Sequence, residues 1–380
     1  MSKAKVLFGV FTVSFIIAAS VCFALAAGNI YAPLPVDAVI NYSGPPIKMR
    51  VSSHATKTNI LIKKMYLPFL ESIEKQSKGK IKIEEYFSGV LHSGKDGFKA
   101  CVNDITDRTH GYVIWQPKSF HLAHALSLPG AFDNAYVSSI VSEKLYPRYF
   151  KNEYENMGVY LAEWHTTAPY PIISKKPIRK LEDFKGLKVR CPGGTVSDVM
   201  KLLGAVPVLL STPEVYTSFQ RGVVDAVMLS DVDFVSYRVY EIGKYHTDLA
   251  LFLVSIPYCY NRKFYDNLPS DLRRFLYNMD RQASQLWAKA FESESTAARE
   301  TMKENGVEFI TLKQSEINRI KTSIQPVWDQ YSKEQEALGL PVRALLKDMK
   351  ALTEKYSSWT PSRLMQDVIN NPTPGIIDGF

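Results

Sequence analysis

Apolar positions along this chain recur with two periods, alternate residues and every third or fourth, and the two periods take turns. Residues 47–52 alternate and predict a strand, after which Leu61, Met65, Phe69 and Ile73 fall at helical spacing with Pro68 as a kink. Alternation returns over 81–87 and stops at Gly89. Beyond it, 95–103 reads as helix, 111–114 as extended chain, 134–150 as helix and 158–164 as strand. This βαβ rhythm belongs to a doubly wound α/β lobe.

A second α/β series begins near Tyr170. Residues 172–174 and 187–190 read as strands, and 195–203 as a helix capped by Thr195 or Ser197. Then 206–210 is extended, 214–221 helical and 226–229 a short buried strand. Residues 251–259 are extended again and return the chain to the first lobe, so that two lobes share a hinge with a cleft between them. Ligands of α/β sheets bind in such clefts, at the carboxyl ends of strands. From Ser270 to Gly306 one helical pattern runs through Leu272, Phe275, Leu276, Met279, Ala283, Leu286, Ala290 and Phe291. No proline interrupts it, and at 1.5 Å per residue it reaches roughly 50 Å, longer than one lobe is wide. A strand at 307–312, helices at 315–338 and 342–356, and an irregular tail from Asn371 complete the reading.

The N-terminus sets the compartment. Lys3 and Lys5 precede an almost wholly apolar stretch, 6–26, that ends in the small-residue site Ala24-Leu25-Ala26. A retained membrane anchor is the alternative, because the apolar stretch is nearly long enough to span. The polar, proline-containing 27–35 favours cleavage, and Ala19-Ser20-Val21 is a poor lipidation box for Cys22. An exported, periplasmic, soluble protein is expected. Its remaining length, about 350 residues, suits two lobes better than one small core. At 46% hydrophobic and 12% aromatic residues it is a packed globule. Formal net charge falls from +8 to +6 once Lys3 and Lys5 are removed. The basic residues are scattered among acids, with no arginine-rich arm, so no nucleic-acid partner is expected and attraction of small anions is. Cys101, Cys191 and Cys259 cannot all pair and lack metal spacing, so no disulfide framework is expected.

The most informative chemistry lies in Leu181-Glu-Asp-Phe-Lys-Gly-Leu-Lys-Val-Arg190-Cys-Pro-Gly-Gly194. It sets Arg190 at the end of a short apolar strand, beside a turn that opens a helix. A guanidinium stays charged and carries five donors in a planar fork, which suits bidentate capture of a carboxylate. A plain salt bridge to a neighbouring element is the alternative for any lone arginine.

The surrounding pattern resembles the solute receptors of TRAP transporters, the tripartite ATP-independent periplasmic (DctP-like) family. There a Gly-Leu-Lys-hydrophobic-Arg segment followed by Pro-Gly-Gly carries the carboxylate-binding arginine. Further pieces follow the family in order and spacing: Gly79-Lys-Ile-Lys-Ile-Glu84, Ser88-Gly-Val-Leu-His-Ser-Gly94, Leu128-Pro-Gly-Ala-Phe132, Ser174-Lys-Lys-Pro177 and Tyr240-Glu-Ile-Gly-Lys-Tyr245. The resemblance covers about 47 to 356. It implies a two-lobed periplasmic-binding-protein α/β fold with a long helix spanning both lobes and extra C-terminal helices. The implied boundaries are a signal peptide at 1–26, a first lobe at 45–167 with 256–295, a second at 168–255 with 296–330, and C-terminal helices and tail at 331–380. It also implies TRAP integral membrane permease subunits as partners, and leaves monomer or dimer open.

Two departures bear on the ligand. Pro169 stands where some members have a second arginine, and Val227, Met228, Leu229 and Ser230 replace a Gln-Glu-Asn-Pro segment whose asparagine binds ligand. By their places just after strands, His54, Trp115, Gln116, Trp164, His165 and Tyr170 join Arg190, Met228 and Leu229 as candidate ligand-binding residues. Together they describe a cleft with one fixed cation and aromatic walls. An apolar or aromatic monocarboxylate or a 2-oxo acid is therefore expected, over dicarboxylates and sugar acids. The sequence has no Gly-x-Ser-x-Gly elbow, phosphate loop or His-Glu-x-x-His, and His121-x-x-His124 lacks a third ligand nearby. No catalytic residue, metal or cofactor is expected. A sensing subunit of a signalling system and an exported enzyme are the alternatives to transport.

Overall fold

The structure, a computed structural model, describes residues 30–116, 118–249 and 251–380, and the expected signal peptide with Cys22 lies outside them. Its strands are β1 (Ile47–Ser52), β2 (Ile81–Tyr86), β3 (Arg108–His110), β4 (Val159–Thr166), β5 (Ile172–Ser174), β6 (Lys188–Cys191), β7 (Val206–Leu209), β8 (Ala226–Met228), β9 (Tyr245–Thr247), β10 (Ser255–Asn261) and β11 (Glu308–Ile310). They form two sheets, ordered β2-β1-β3-β10-β4 and β11-β9-β5-β8-β6-β7. In the first, β1 runs parallel to β2 and β3, and β10 is antiparallel to β3 and β4. In the second, β6 is parallel to β7 and β8, whereas β5 is antiparallel to β8 and β9. Two α/β lobes with helices between the strands result, as the periodicity predicts.

The chain passes between the lobes after β4 and returns before β10. These two crossing segments lie side by side: the Thr167 amide donates to the Val254 carbonyl at 3.0 Å, and the Tyr170 amide to the Phe252 carbonyl at 2.7 Å. A paired hinge of this kind permits rotation about the segments while holding the lobes in register. The helix Ser270–Glu304 is a third tie. Its first half packs on β4 and the helix Ala135–Tyr149, and its last turns reach the helix Asp231–Ser236 of the second lobe. Asp280 fastens the early part to Arg108 at 2.5 Å, and Arg299 fastens the late part to Asp231 at 2.6 Å and Asp248 at 2.9 Å.

Several local expectations are corrected. The strand expected at 111–114 lies earlier, as β3, and Val113–Trp115 is a 3-10 turn. The helical stretch through Leu61 and Met65 contains a π-turn, Ile62–Tyr66, and Pro68 follows it in the segment Leu67–Gln76. Neither Thr195 nor Ser197 caps its helix, which starts at Gly194 after Gly193 with φ 109°. The helix expected at 315–338 is two, Gln314–Ile324 and Pro326–Ala337, because Pro326 cannot continue the amide ladder. A further helix, Pro361–Asn370, precedes the tail; the Thr360 side chain accepts from the Arg363 amide and Pro361 takes the first helical position.

Candidate functional site

Between the two sheets lies a small cavity of about 70 Å³, partly open to solvent. Arg190 forms part of its second-lobe wall and is 1% exposed. It sits on β6, an interior strand, so its position is fixed by ladders to β7 and β8 on either side. Backbone carbonyls orient the guanidinium: Nε and one NH2 nitrogen donate to Leu210 at 3.1 and 2.9 Å, and the other donates to Met228 at 2.8 Å. Those bonds leave part of the five-donor fork unspent. Among the described residues no carboxylate forms a salt bridge with it; burial pulls its pKa below the usual guanidinium value, and nearby Tyr170 and Asp233 act against that pull. A buried cation held by carbonyls alone is an anion receptor in search of its anion.

First-lobe residues build the facing wall. The His54 Nδ1 lies 3.1 Å from His110 Nε2, and the ring meets Trp115 edge-on with centroids 5.7 Å apart. Burial, with His92 and Arg190 nearby, pushes the His54 pKa down to about 4, so the ring is neutral at pH 7. Tyr112 and Trp115 lean on one another at 4.3 Å between centroids. Trp115 also reaches across the cleft, its Nε1 donating to the Pro192 carbonyl at 2.7 Å. The next residue, Gly193, has a positive φ that excludes most side chains, and a Cβ there would sit 3.1 Å from Leu209 Cδ1.

The hinge and the long helix close the floor. His165 stacks on Trp287 at 4.5 Å, with its Nδ1 3.0 Å from Glu163. Tyr170 lines the cavity from the first crossing segment, and burial raises its phenol pKa. Leu229 supplies apolar surface just after β8.

Six of the nine candidates therefore share the cavity wall: His54, Trp115, His165, Tyr170, Arg190 and Leu229. The other three do not. Trp164 points to the opposite face of β4 from His165, as strand alternation requires, and packs on Phe150 and Tyr154. Gln116 turns outward and donates to the Lys95 carbonyl at 3.0 Å. Met228 contributes its carbonyl to Arg190 while its side chain is fully buried in the core. Sequence reasoning missed Asn59, Asp233 and Tyr237, polar wall residues on loops and a short helix, and Trp287, hidden in the apolar stripe of the long helix. For Asp233 a signal existed, because Ser230-Asp-Val-Asp233 has the polar start of a capped helix. Among the described residues no cluster of three His, Cys, Asp or Glu side chains has a metal-holding arrangement, and no helix is long and apolar enough to cross a membrane.

Comparison with known proteins gives one consistent relationship. The DctP family model, bacterial extracellular solute-binding protein, family 7, matches residues 51–335. The C4-dicarboxylate-binding periplasmic protein DctP of Rhodobacter capsulatus is 25% identical over 284 residues, 73% of this chain and 84% of that protein. A TRAP periplasmic solute-binding protein from Bordetella bronchiseptica, solved with (R)- and (S)-mandelate, superposes with TM-score 0.76 at 24% identity, covering 82% of this chain and 99% of that one. One from Rhodoferax ferrireducens in complex with copurified benzoate gives TM-score 0.78 at 20% identity, covering 82% and 98%.

Proposed function

This chain belongs to the DctP family of bacterial extracellular solute-binding proteins, which are receptors and not enzymes, and we propose that it captures one organic monocarboxylate with an apolar or aromatic body. The ligand sits between the lobes, its carboxylate on Arg190, and the closed receptor delivers it to a TRAP membrane permease. The observation that carries this reading is Arg190 itself, a buried guanidinium with no salt bridge among the described residues, in a cavity walled by Trp115, Tyr112, Tyr170 and Trp287. A planar fork matches a carboxylate, and the aromatic walls reward an apolar body by roughly 2.5 kcal/mol per 100 Å² buried. A second carboxylate has no second cation to meet among the cavity-lining residues. Mandelate and benzoate in the two structural neighbours are acids of this kind, although the dicarboxylate relative shows that the family spans others.

The moving bodies in this reading are residues 45–167 with 256–295 and residues 168–255 with 296–330. Ligand favours their closed arrangement because His54 and Trp115 on one body and Arg190 and Leu229 on the other touch it together only when closed. The mature receptor starts near Ala27 after removal of the export signal, and N-terminal sequencing of the periplasmic fraction checks this. The ligand class is tested by a thermal-shift screen of aryl and branched monocarboxylates, 2-oxo acids, dicarboxylates and sugar acids. Stabilisation by the first two groups supports the reading. Stabilisation by dicarboxylates or sugar acids alone contradicts the ligand class and leaves the family intact.

A further inference from the structure

The cavity holds a second, half-buried polar feature that a plain hydrocarbon acid leaves unused. Asp233 is in its wall, on the second lobe, and among the described residues no ion pair involves its carboxylate. Ser230 Oγ donates to one oxygen at 2.8 Å and Asn59 Nδ2, from the first lobe, donates to the other at 3.1 Å. An ionised carboxylate accepts about four hydrogen bonds, so both oxygens keep acceptor capacity. Asn59 is locked in place, its Oδ1 accepting from the Leu61 and Ile62 amides at 3.0 and 3.3 Å, and so presents Asp233 in one orientation. Arg190 and Asp233 thus give one cavity a fixed donor set and a fixed acceptor, which lie within electrostatic reach of one another but, among the described residues, form no salt bridge. Burial raises the Asp233 pKa, against the opposing pull of Ser230, Asn59 and the Arg190 charge.

We propose that Asp233 is a specificity-determining ligand contact that accepts a hydrogen bond from an O–H or N–H group on the body of the carboxylate held by Arg190. The inference rests on the reading of Arg190 as the carboxylate anchor. It narrows the ligand to an acid with a donor away from its carboxylate, a ring hydroxyl or an ammonium. An acid without one leaves the Asp233 acceptors dry when the lobes close, and a site built around a polar group rejects the analogue lacking it.

Calorimetric titration with benzoate, 3-hydroxybenzoate, 4-hydroxybenzoate and phenylalanine tests it. At least one of the donor-bearing acids should bind the parent roughly ten-fold or more tighter than benzoate. Which one does separates hydroxyl from ammonium as the donor. In Asp233→Ala that preference, taken as the ratio to benzoate measured on the same variant, should collapse to about two-fold; Asp233→Asn, which keeps the shape, should lose most of it. Asn59→Ala, which removes the cross-cleft bond but keeps the carboxylate, should retain the preference. Equal affinity of the parent for benzoate and all donor-bearing acids, or a preference that survives in Asp233→Ala, overturns the inference while the carboxylate reading stands. Failure of all four acids to bind the folded parent overturns both.

Discussion

Two buried arginines in this molecule live under opposite conditions. Arg108, in the first lobe, is fully buried and bonds Asp280 at 2.5 Å and the Tyr260 hydroxyl at 2.6 Å, with its guanidinium 5.0 Å from the Tyr260 ring centroid. Its neighbour on the long helix, Arg281, pairs with Glu143 at 3.2 Å. Arg190 is as deeply buried but meets only carbonyls. Both cations lose their water on burial, and only in the first lobe does a direct ion pair with the chain offset that cost. An internal pair fastens the long helix to its sheet; a cation without one keeps its fork for something from outside. Burial alone therefore does not separate a structural arginine from a receptor arginine, and the partner does.

The largest effect should come from breaking the internal pair. Asp280→Ala leaves Arg108 as an uncompensated buried charge and should cost about 3–5 kcal/mol of stability, read as a lower midpoint in urea unfolding. Arg190→Ala should cost far less in the same assay, because the Leu210 and Met228 carbonyls regain water from the cavity. Equal losses in the two variants would erase the distinction between them.

Acid separates the regions in a second way. His54 has its folded pKa depressed from 6.5 to about 4, so the unfolded state binds more protons between those values. Stability from this group is present above pH 6.5 and falls as the pH drops toward 4, by about 3 kcal/mol at the full shift. Glu143, under the first-lobe sheet, has its folded pKa raised from 4.5 to about 7 by burial, so its contribution runs the other way and is lost as pH rises from 4.5 through 7. The His54→Asn and Glu143→Gln variants should remove opposite slopes from the pH dependence of unfolding. Slopes of the same sign would show that one of the two environments is misassigned.

The smallest effect sharpens the cleft side. Trp115→Phe keeps an aromatic wall but removes the bond to the Pro192 carbonyl, a direct tie between the lobes. Loss of one such bond is worth about 1 kcal/mol, so ligand affinity should fall several-fold with little change in unfolding. A variant that binds as the parent does would show that this tie does not favour closure.

How much of this was legible in the sequence depended on which periodicity carried the information. Strand β6 and its arginine could be read because a short apolar run ends at a turn whose glycines have a specific steric use. The long helix was readable from its unbroken period, since no competing signal lies within it. His54, Trp115 and Tyr170 could be placed at the cleft because loops after strands converge there. Trp164 was misplaced for a plain reason: adjacent residues on a strand face opposite sides, and sequence alone does not say which of Trp164 and His165 faces the cavity. Asn59 gave no signal and Asp233 only that of a helix start, because their partnership spans 174 positions and exists only once the lobes meet. Trp287 was readable as core but not as cavity floor, for the same residue pattern serves both.

The central claim is that Arg190 waits for a carboxylate. The most direct test is calorimetric titration at pH 7 of the parent and of Arg190→Ala with the tightest aromatic acid from the thermal screen, each variant first shown to unfold cooperatively. Removing the desolvated partner of that carboxylate should cost about 2–5 kcal/mol of binding, and Arg190→Lys should recover only part of it because a point charge does not reproduce the fork. An Arg190→Ala protein that binds the acid as tightly as the parent would contradict the account.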